Sequence, residues 1–316
     1  MSKISDNKGS FAIAVAALIV VLVVVLAIAA VLFLPVKAVN FDEYQSVQSV
    51  TGVNKLNLKL SADIGEVNVI YTNLSGQALS LHVNAKGSVG YLMDPNSVSL
   101  DFVQSTSADT AIVNASVNVK DRLLGASNLN LHCDVLVDSS MRSKLDLSTS
   151  AGSIVVNTTN ATAFDQIEMS AKAGAVTLHI ASGVSLYGDI SLSTNFGASV
   201  LDWTDPIVKQ NIAVEASTRA GGVELHINQT TPMNKMVTFN GTTATGGVSL
   251  NLDIRGDVSA TINSTTKVGG VHAGSKIGFV GDDNDLRSTN YPAAGNLVVQ
   301  LRTNVGGVEV NALSVP

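Results

Sequence analysis

The stretch Ser217-Thr-Arg-Ala-Gly221-Gly-Val-Glu-Leu-His-Ile227 decides how the chain folds. After Gly221, apolar residues at every second position alternate with polar ones, which is the period of a half-buried β-strand. Seven residues before the glycine stands Val214, at the start of a second apolar alternation. A glycine between two strands can supply the positive φ of a tight turn. The stretch therefore predicts a unit of strand, glycine turn and strand.

The same unit recurs along the chain when it is aligned on its glycine. Seven copies centre on Gly152, Gly174, Gly197, Gly221, Gly246, Gly269 and Gly306, and an outlying copy centres on Gly65. Successive glycines of the seven are 22, 23, 24, 25, 23 and 37 residues apart. Ser or Thr stands four residues before the glycine in every copy except the last, which has Arg302. We expect these hydroxyls to bond turn amides.

These repeats predict an all-β fold. A unit of about 23 residues cannot bury its apolar face alone, whereas stacked copies cover one another. The favoured architecture is a β-solenoid-like stack of these repeats, and an antiparallel β-sandwich of consecutive hairpins is the alternative. In the copy at Gly197, Ser199 takes an apolar position, which predicts a bulge or a one-residue slip. The 37-residue gap predicts a surface loop from Gly274 to Gly295.

The regularity of the repeat divides the chain into regions. Residues 141–316 are the regular β-repeat region. Residues 51–140 form a degenerate N-terminal β region, which consists either of weaker coils of the same fold or of a capping sheet. Residues 37–50 are predicted to be a short polar linker.

The N-terminal segment is predicted to anchor the chain in a membrane. From Gly9 to Val36 there is no charged residue, and this run exceeds the roughly 20 apolar residues that a bilayer-spanning helix needs. We therefore predict a cytoplasmic tail at 1–9 and a transmembrane helix at 10–36. Lys3 and Lys8 favour a cytoplasmic N-terminus and an extracytoplasmic body at the cell membrane. A cleaved signal peptide is the alternative for this segment.

The body also carries seven Asn-x-Ser/Thr sequons, which agree with an extracytoplasmic location if the source organism glycosylates asparagine. The candidate acceptors are Asn73, Asn114, Asn157, Asn160, Asn228, Asn240 and Asn263.

Composition excludes some classes of function. The net charge is -6 and Lys and Arg form no runs, which argues against nucleic-acid binding. Only 14% of residues are charged, so the surface is polar but weakly charged. The single cysteine, Cys133, excludes an intrachain disulfide. It alternates with apolar residues and is predicted to be a small buried hydrophobe.

No catalytic or cofactor-binding set is predicted. The chain lacks a Gly-x-Ser-x-Gly elbow and a His-Glu-x-x-His motif. One metal arrangement is conceivable, because His179 and His226 occupy the same repeat position, five residues after the glycine, and Asp202 occupies it in the copy between them. Stacked strands would place the three on one outward ladder, where a zinc-like ion could bind. A solvated polar ladder is the favoured interpretation.

The segment Leu145-Asp-Leu-Ser-Thr-Ser-Ala-Gly-Ser-Ile154, followed by Ser-x-x-Ala-Gly-x-Val copies at Gly174 and Gly221, resembles a domain family of unknown function described as a "putative adhesin". The resemblance covers roughly residues 50–316. It implies a repetitive β-domain that commonly lies outside the membrane, and it implies no catalytic residues.

The leading functional hypothesis is a non-enzymatic surface protein, either adhesin-like or an envelope scaffold. Its expected partners are the membrane, crossed once, and a cell-surface polymer or protein. One alternative is a pilin-like filament subunit processed after Gly9, because Lys8-Gly9 precedes the apolar run. Another is an envelope-stress sensor or regulator that acts through a membrane partner.

Overall fold

The computed structural model describes residues 37–89, 97–120 and 128–315. Every regular element within these ranges is a β-strand, so the all-β prediction is confirmed. A helix long and apolar enough to span a bilayer is not found within them. The predicted tail and transmembrane helix, residues 1–36, lie outside the described residues.

The N-terminal region and the early repeats contribute thirteen strands. They are β1 (Lys37–Gln48), β2 (Lys55–Ile64), β3 (Glu66–Thr72), β4 (Gln77–Val89), β5 (Val98–Ser107), β6 (Thr110–Val119), β7 (Asn128–Asp138), β8 (Arg142–Ala151), β9 (Ile154–Asn157), β10 (Ala163–Ala173), β11 (Val176–Ile180), β12 (Ser185–Leu186) and β13 (Ile190–Phe196).

The later repeats contribute twelve more. They are β14 (Ser199–Thr204), β15 (Ile207–Val208), β16 (Ile212–Ala220), β17 (Val223–Gln229), β18 (Met236–Thr245), β19 (Val248–Arg255), β20 (Val258–Val268), β21 (Val271–Ile277), β22 (Phe279–Gly281), β23 (Asp285–Ser288), β24 (Gly295–Val305) and β25 (Val308–Val315).

The two strands of each copy enter two different sheets. The eleven-stranded sheet has the order β1-β4-β7-β3-β9-β11-β14-β17-β19-β25-β21, and the fourteen-stranded sheet has the order β22-β23-β20-β24-β18-β16-β13-β10-β8-β2-β6-β5, with β12 and β15 at its side. Within the repeats, each strand pairs in parallel with the equivalent strands of neighbouring copies. The strands of one copy are therefore not hairpin partners, and the sandwich of consecutive hairpins is not observed.

The inner positions of both sheets form one core. Leu145, Leu147, Ile154 and Val156 of a single copy are each 0% exposed, and the same alternation continues from copy to copy. Cys133 is also 0% exposed and has no disulfide, so the prediction of a small buried hydrophobe is confirmed.

The glycines that define the repeat stack directly on one another. Gly221 has φ of 140°, its amide donates to Thr245 O at 2.9 Å, and a Cβ at this position would overlap the carbonyl oxygen of Gly197 in the adjacent copy. The same overlap occurs at Gly152, Gly174, Gly197, Gly246, Gly269 and Gly306, each against the glycine carbonyl of a neighbouring copy. Backbone this close, at a φ reserved for glycine, explains why the residue recurs.

The hydroxyls that support the turn come from a position that differs from the predicted one. Thr218 and Thr243, three residues before their glycines, donate to Gly197 O and Gly221 O at 3.3 Å. Ser217, four residues before, lies half-buried on the outer face. Side chains alternate between the faces of a strand, so only the odd-numbered offsets reach the interior beside the turn. The expectation that the fourth-position hydroxyls bond the turn amides is not borne out.

Ser199 does not cause the predicted bulge or slip. It pairs with Val176 and Val223 in unbroken register and is 0% exposed. Its hydroxyl donates to Ser217 O at 2.8 Å. A buried hydroxyl that is hydrogen-bonded costs little, so the inward position tolerates serine without a change of register.

The last copy is intercalated in the stack. β24 lies between β18 and β20, and β25 lies between β19 and β21. The copy at Gly306 therefore separates the copy at Gly246 from the copy at Gly269. Stacking in chain order, expected from the repeat spacing, ends at Gly246.

The first part of the chain closes one end of the stack. β2 and β3, the copy at Gly65, pair in parallel with β8 and β9, and β6 and β7 extend the two sheets in parallel beyond them. The outermost strands β1, β4 and β5 run antiparallel. Residues 37–48 thus form an edge strand, and the prediction of a linker at 37–50 is wrong. Polar Glu43 and Gln45 stand at inward positions of β1 and hide its alternation.

The insertion after Gly274 also contains strands. β22 and β23 pair with each other, and β23 pairs with β20, all antiparallel. Leu286 is 0% exposed and Phe279 is 8% exposed. The predicted surface loop from Gly274 to Gly295 is therefore corrected, because strands of three and four residues are too short to show a period.

Candidate functional site

A groove of about 530 Å³ lies on the outer face of the eleven-stranded sheet, across its last five strands. Two rows of outward side chains line most of it, at the fifth and seventh positions after the repeat glycine. The fifth-position row contains Asp202, His226, Asn251 and Asn311, and the seventh-position row contains Thr204, Asn228, Asp253 and Leu313. Parallel strands about 4.8 Å apart present such rows as evenly spaced ladders. We call this surface the polar groove.

Two carboxylates, Asp202 and Asp253, line the polar groove, and each contacts a side chain that lies outside it. Asp202 Oδ2 is 2.5 Å from His179 Nδ1. Asp253 accepts hydrogen bonds from Arg255 Nη2 at 3.0 Å and Nε at 3.3 Å. No Lys or Arg is among the described residues that line the groove. The groove therefore offers fixed carboxylate acceptors beside amides that both donate and accept.

A second groove of about 500 Å³ adjoins it on the same face. Its floor is the residue directly after the repeat glycine, which is Gly222, Gly247, Gly307 and Gly270 in four neighbouring copies. A Cβ at Gly222 would meet no atom within 4 Å, and other copies carry Ser153, Ala175 and Ala198 at this position. The turn does not require this second glycine, so its effect is to leave a strip of bare backbone beside Glu224 and Glu309.

The structure brings together only part of the conceivable metal set. His179 contacts Asp202, whereas His226 Nε2 lies 3.8 Å from Glu224 Oε2. Among the residues that the structure describes, no group of three or more His, Cys, Asp or Glu side chains is placed to hold an ion. The fifth-position ladder is thus a row of polar side chains in which each histidine contacts a neighbouring carboxylate.

The sequons lie on several surfaces. Asn73, Asn114, Asn160, Asn228 and Asn263 are exposed, and Asn157 and Asn240 are half-buried. Asn228 lines the polar groove, so a glycan attached there would occupy it. Their glycosylation stays a prediction.

Sequence reasoning had identified one of the two rows of the polar groove. The fifth-position row followed from comparing His179, Asp202 and His226 across copies. The seventh-position row was missed, although continuing the alternation two residues further would have predicted Asn228 and Asp253 on the same face.

No protein-family model matches the chain, and no curated protein matches it. Solved structures similar to it include a "putative cell adhesion protein" from Clostridium sporogenes, at 13% identity and a TM-score of 0.44, covering 86% of this chain and 99% of that one. A "putative adhesin" from Bacteroides fragilis matches at 10% identity and a TM-score of 0.36, covering 87% and 97%. A "putative adhesin" from Parabacteroides distasonis matches at 8% identity and a TM-score of 0.29, covering 87% of this chain and 97% of that one. Similarities this low leave the function of this chain to be argued from its own residues.

Proposed function

We propose that the protein is a non-enzymatic, adhesin-like surface protein that binds a polyhydroxylated polymer, such as a cell-surface glycan, along the polar groove. The observation that carries this proposal is the double ladder of carboxylate, amide and hydroxyl side chains on adjacent parallel strands. A repeated ligand can engage such a surface at several equivalent points, so weak single contacts add up.

The chemistry of the groove suits hydroxyl groups. Each sugar hydroxyl can donate one hydrogen bond and accept others, and Asn251 and Asn311 side-chain amides can do the same. Asp202 and Asp253 add charged acceptors, which form stronger hydrogen bonds than neutral ones. The contact of Asp202 with His179 and the ion pair of Asp253 with Arg255 restrict the rotamers of both carboxylates in advance, which lowers the entropy lost on binding.

The charge of the groove selects among polymers. Two carboxylates line it and no described Lys or Arg does, so a polyanionic chain would be repelled. A neutral polysaccharide or a polymer of amino sugars is the expected ligand.

The proposal includes the membrane anchor at residues 10–36, a cytoplasmic tail at 1–9 and an extracytoplasmic body. It also includes a β-solenoid-like description of the stack, supported by the parallel pairing of equivalent strands and by the ladder of repeat glycines. β1 begins at Lys37, immediately after the proposed anchor, so the body would start at the membrane surface.

Binding of the body, residues 37–316, to insoluble polysaccharides tests the proposal. Sedimentation with cellulose, chitin and chitosan should remove the protein from solution, whereas competition by soluble hyaluronan, a polyanion, should be ineffective. The double variant Asn251→Ala/Asn311→Ala should bind more than 10-fold more weakly, since each lost hydrogen bond contributes about 1 kcal/mol.

A matched control lies on the opposite sheet. Asn240 and Gln300 face each other across β18 and β24, as Asn251 and Asn311 do across β19 and β25. Asn240→Ala/Gln300→Ala should bind like the wild type. No binding to any polymer, or equal losses in both double variants, would contradict the assignment of the groove.

A further inference from the structure

All five histidines of the chain lie on one face of the molecule. Their strands, β4, β7, β11, β17 and β21, belong to the eleven-stranded sheet. Each histidine alternates with inward apolar residues, so its side chain points outward. They are His82, His132, His179, His226 and His272. Protons that histidines take up are therefore taken up on the face that contains the polar groove.

Four of the five imidazoles contact a carboxylate oxygen. Away from the groove, His82 Nε2 lies 2.7 Å from Asp42 Oδ1, and His132 Nδ1 lies 3.4 Å from Glu66 Oε2. The other two contacts lie at the polar groove. The same chemical pair thus occurs at both ends of the sheet, and only one end has the groove.

At the groove, one carboxylate stands between two histidines. Asp202 on β14 is opposite His179 on β11 and opposite His226 on β17. Asp202 Oδ2 lies 2.5 Å from His179 Nδ1, and His226 lines the groove with its Nε2 3.8 Å from Glu224 Oε2. The two histidine side chains are 43% and 45% exposed, so both are open to protons from solvent.

The other charged groups around these two histidines are a carboxylate and an arginine. β9, which flanks His179, contains no charged residue. β19, which flanks His226, presents Asp253 diagonally to it, and Asp253 is paired with Arg255. Together with the two carboxylates that contact the histidines, three negative charges surround them. In the part of the chain that the structure describes, Arg255 offsets one of the three.

We propose that the polar groove changes its charge selectivity with pH, excluding acidic polysaccharides at neutral pH and binding them in mild acid, when His179 and His226 are protonated. This inference rests on the proposed function, because it concerns the ligand of the same groove. Histidine is the side chain that changes charge between about pH 5 and 8. Carboxylates stay ionised down to about pH 4, so the negative charges remain while the histidines titrate.

Protonation changes both the charge and the hydrogen-bond donors of the groove. The two imidazolium charges balance the two negative charges that Arg255 leaves uncompensated, which removes the repulsion of a polyanion. A protonated imidazole also donates from both ring nitrogens. His226 can then offer a charged donor to a sugar carboxylate, and the Asn251 amide stands beside it in register. A polymer of uronic acids fits this arrangement.

Retention of the full chain, in an uncharged detergent, on hyaluronan-agarose and on chitin tests the inference. The measurements are made at about pH 7.5 and about pH 5, which lie on either side of the histidine range, and at one ionic strength. Hyaluronan should hold the wild type about 10-fold more tightly in acid, since two charges appear within a few ångströms of the ligand. His179→Gln/His226→Gln should lose most of this gain.

A matched control lies at the other end of the same face. His82→Gln/His132→Gln removes the same number of titratable groups, each of which also contacts a carboxylate. It should keep the gain in acid, which separates an effect of the groove from a change in net charge. His179→Lys/His226→Lys carries fixed cations and should bind hyaluronan at both pH values, which tests the inference even if the glutamine variant misfolds.

The outcomes separate this inference from the proposed function. If the wild type binds chitin but no hyaluronan at either pH, the change of selectivity is wrong and the proposed function stands. Equal loss of the acid gain in the two glutamine variants would overturn the assignment to the groove. If hyaluronan is bound in acid through His179 and His226 but no neutral polymer is bound at any pH, the change of selectivity stands and the proposed neutral ligand is wrong.

Discussion

Two adjacent glycines, Gly221 and Gly222, give opposite predictions for the same substitution. Gly221 has a φ of 140°, and in Gly221→Ala the added Cβ would lie 1.9 Å from the carbonyl oxygen of Gly197. Gly222→Ala adds a Cβ that meets no atom within 4 Å, at a backbone conformation that other copies adopt with Ser153 or Ala175. Comparing the two substitutions therefore distinguishes a glycine that the turn requires sterically from one that it does not.

The magnitudes follow from what each Cβ displaces. At Gly221 the conformational strain alone is about 1–3 kcal/mol. The overlapping atom is backbone and cannot rotate away, so the turn must shift and weaken the bonds to Thr245 and Thr243, each contributing about 1 kcal/mol. The expected loss is about 3–5 kcal/mol. At Gly222 the smaller entropy of the unfolded chain should raise stability by about 0.4–1 kcal/mol.

Urea unfolding of residues 37–316 measures both effects. Trp203 is the only tryptophan, is 1% exposed, and lies in the copy next to Gly221, so its fluorescence reports on this part of the stack. Gly221→Ala should lower the midpoint strongly, and Gly222→Ala should leave it unchanged or raise it slightly. If the free energies of unfolding of the two variants lay within about 1 kcal/mol of each other, the stacked repeat glycines would not be a steric requirement of the fold.

Three other residues give separate tests. Thr218→Val should cost about 1 kcal/mol of unfolding free energy by urea titration, because its hydroxyl bonds a glycine carbonyl, whereas Ser217→Ala should be near neutral. Burial raises the pKa of Cys133 to about 12, so a maleimide should label it only after unfolding, and rapid native labelling would contradict its burial. Burial acts to raise the pKa of Asp205, but hydrogen bonds from the threonines after β17 outweigh it and lower the pKa. The stability that Asp205→Ala removes, about 1–3 kcal/mol at neutral pH, should therefore shrink as pH falls below about 4, and a constant difference in acid would contradict this.

Local pattern was sufficient to predict the strands of the regular repeats and which of their faces is buried. Leu145, Ile154 and Val223 follow a period of two beside glycines that no other residue can replace, and each is 0% exposed. The alternation did not predict a strand where polar residues occupy several of its inward positions. Glu43 and Gln45 in β1 hide an edge strand because an edge needs only a few apolar anchors, here Val39 and Val47.

The polar groove could be predicted only in part, since a groove depends on which rows become neighbours. The fifth-position row was visible by comparing copies, because each copy contributes one residue at a fixed offset from its glycine. The last member of that row could not be placed in this way. Asn311 lies beside Asn251 because β25 pairs with β19, whereas stacking in chain order would have placed β21 next to β19.

The position of the Gly269 copy in the stack has a physical reason in Lys276. In register with β25, Lys276 stands opposite Ala312, which is 1% exposed and faces the core. A further copy stacked on β21 in the same frame would bury the ammonium, at a large cost in free energy. The Gly306 copy carries Val308, Val310 and Ala312 at these positions and can be covered on both sides. The repeat pattern makes all copies equivalent for pairing, so one lysine at an inward position favours placing the Gly269 copy at the end. At the end of the stack Lys276 stays exposed, and its ammonium pairs with Asp283 at 3.1 Å.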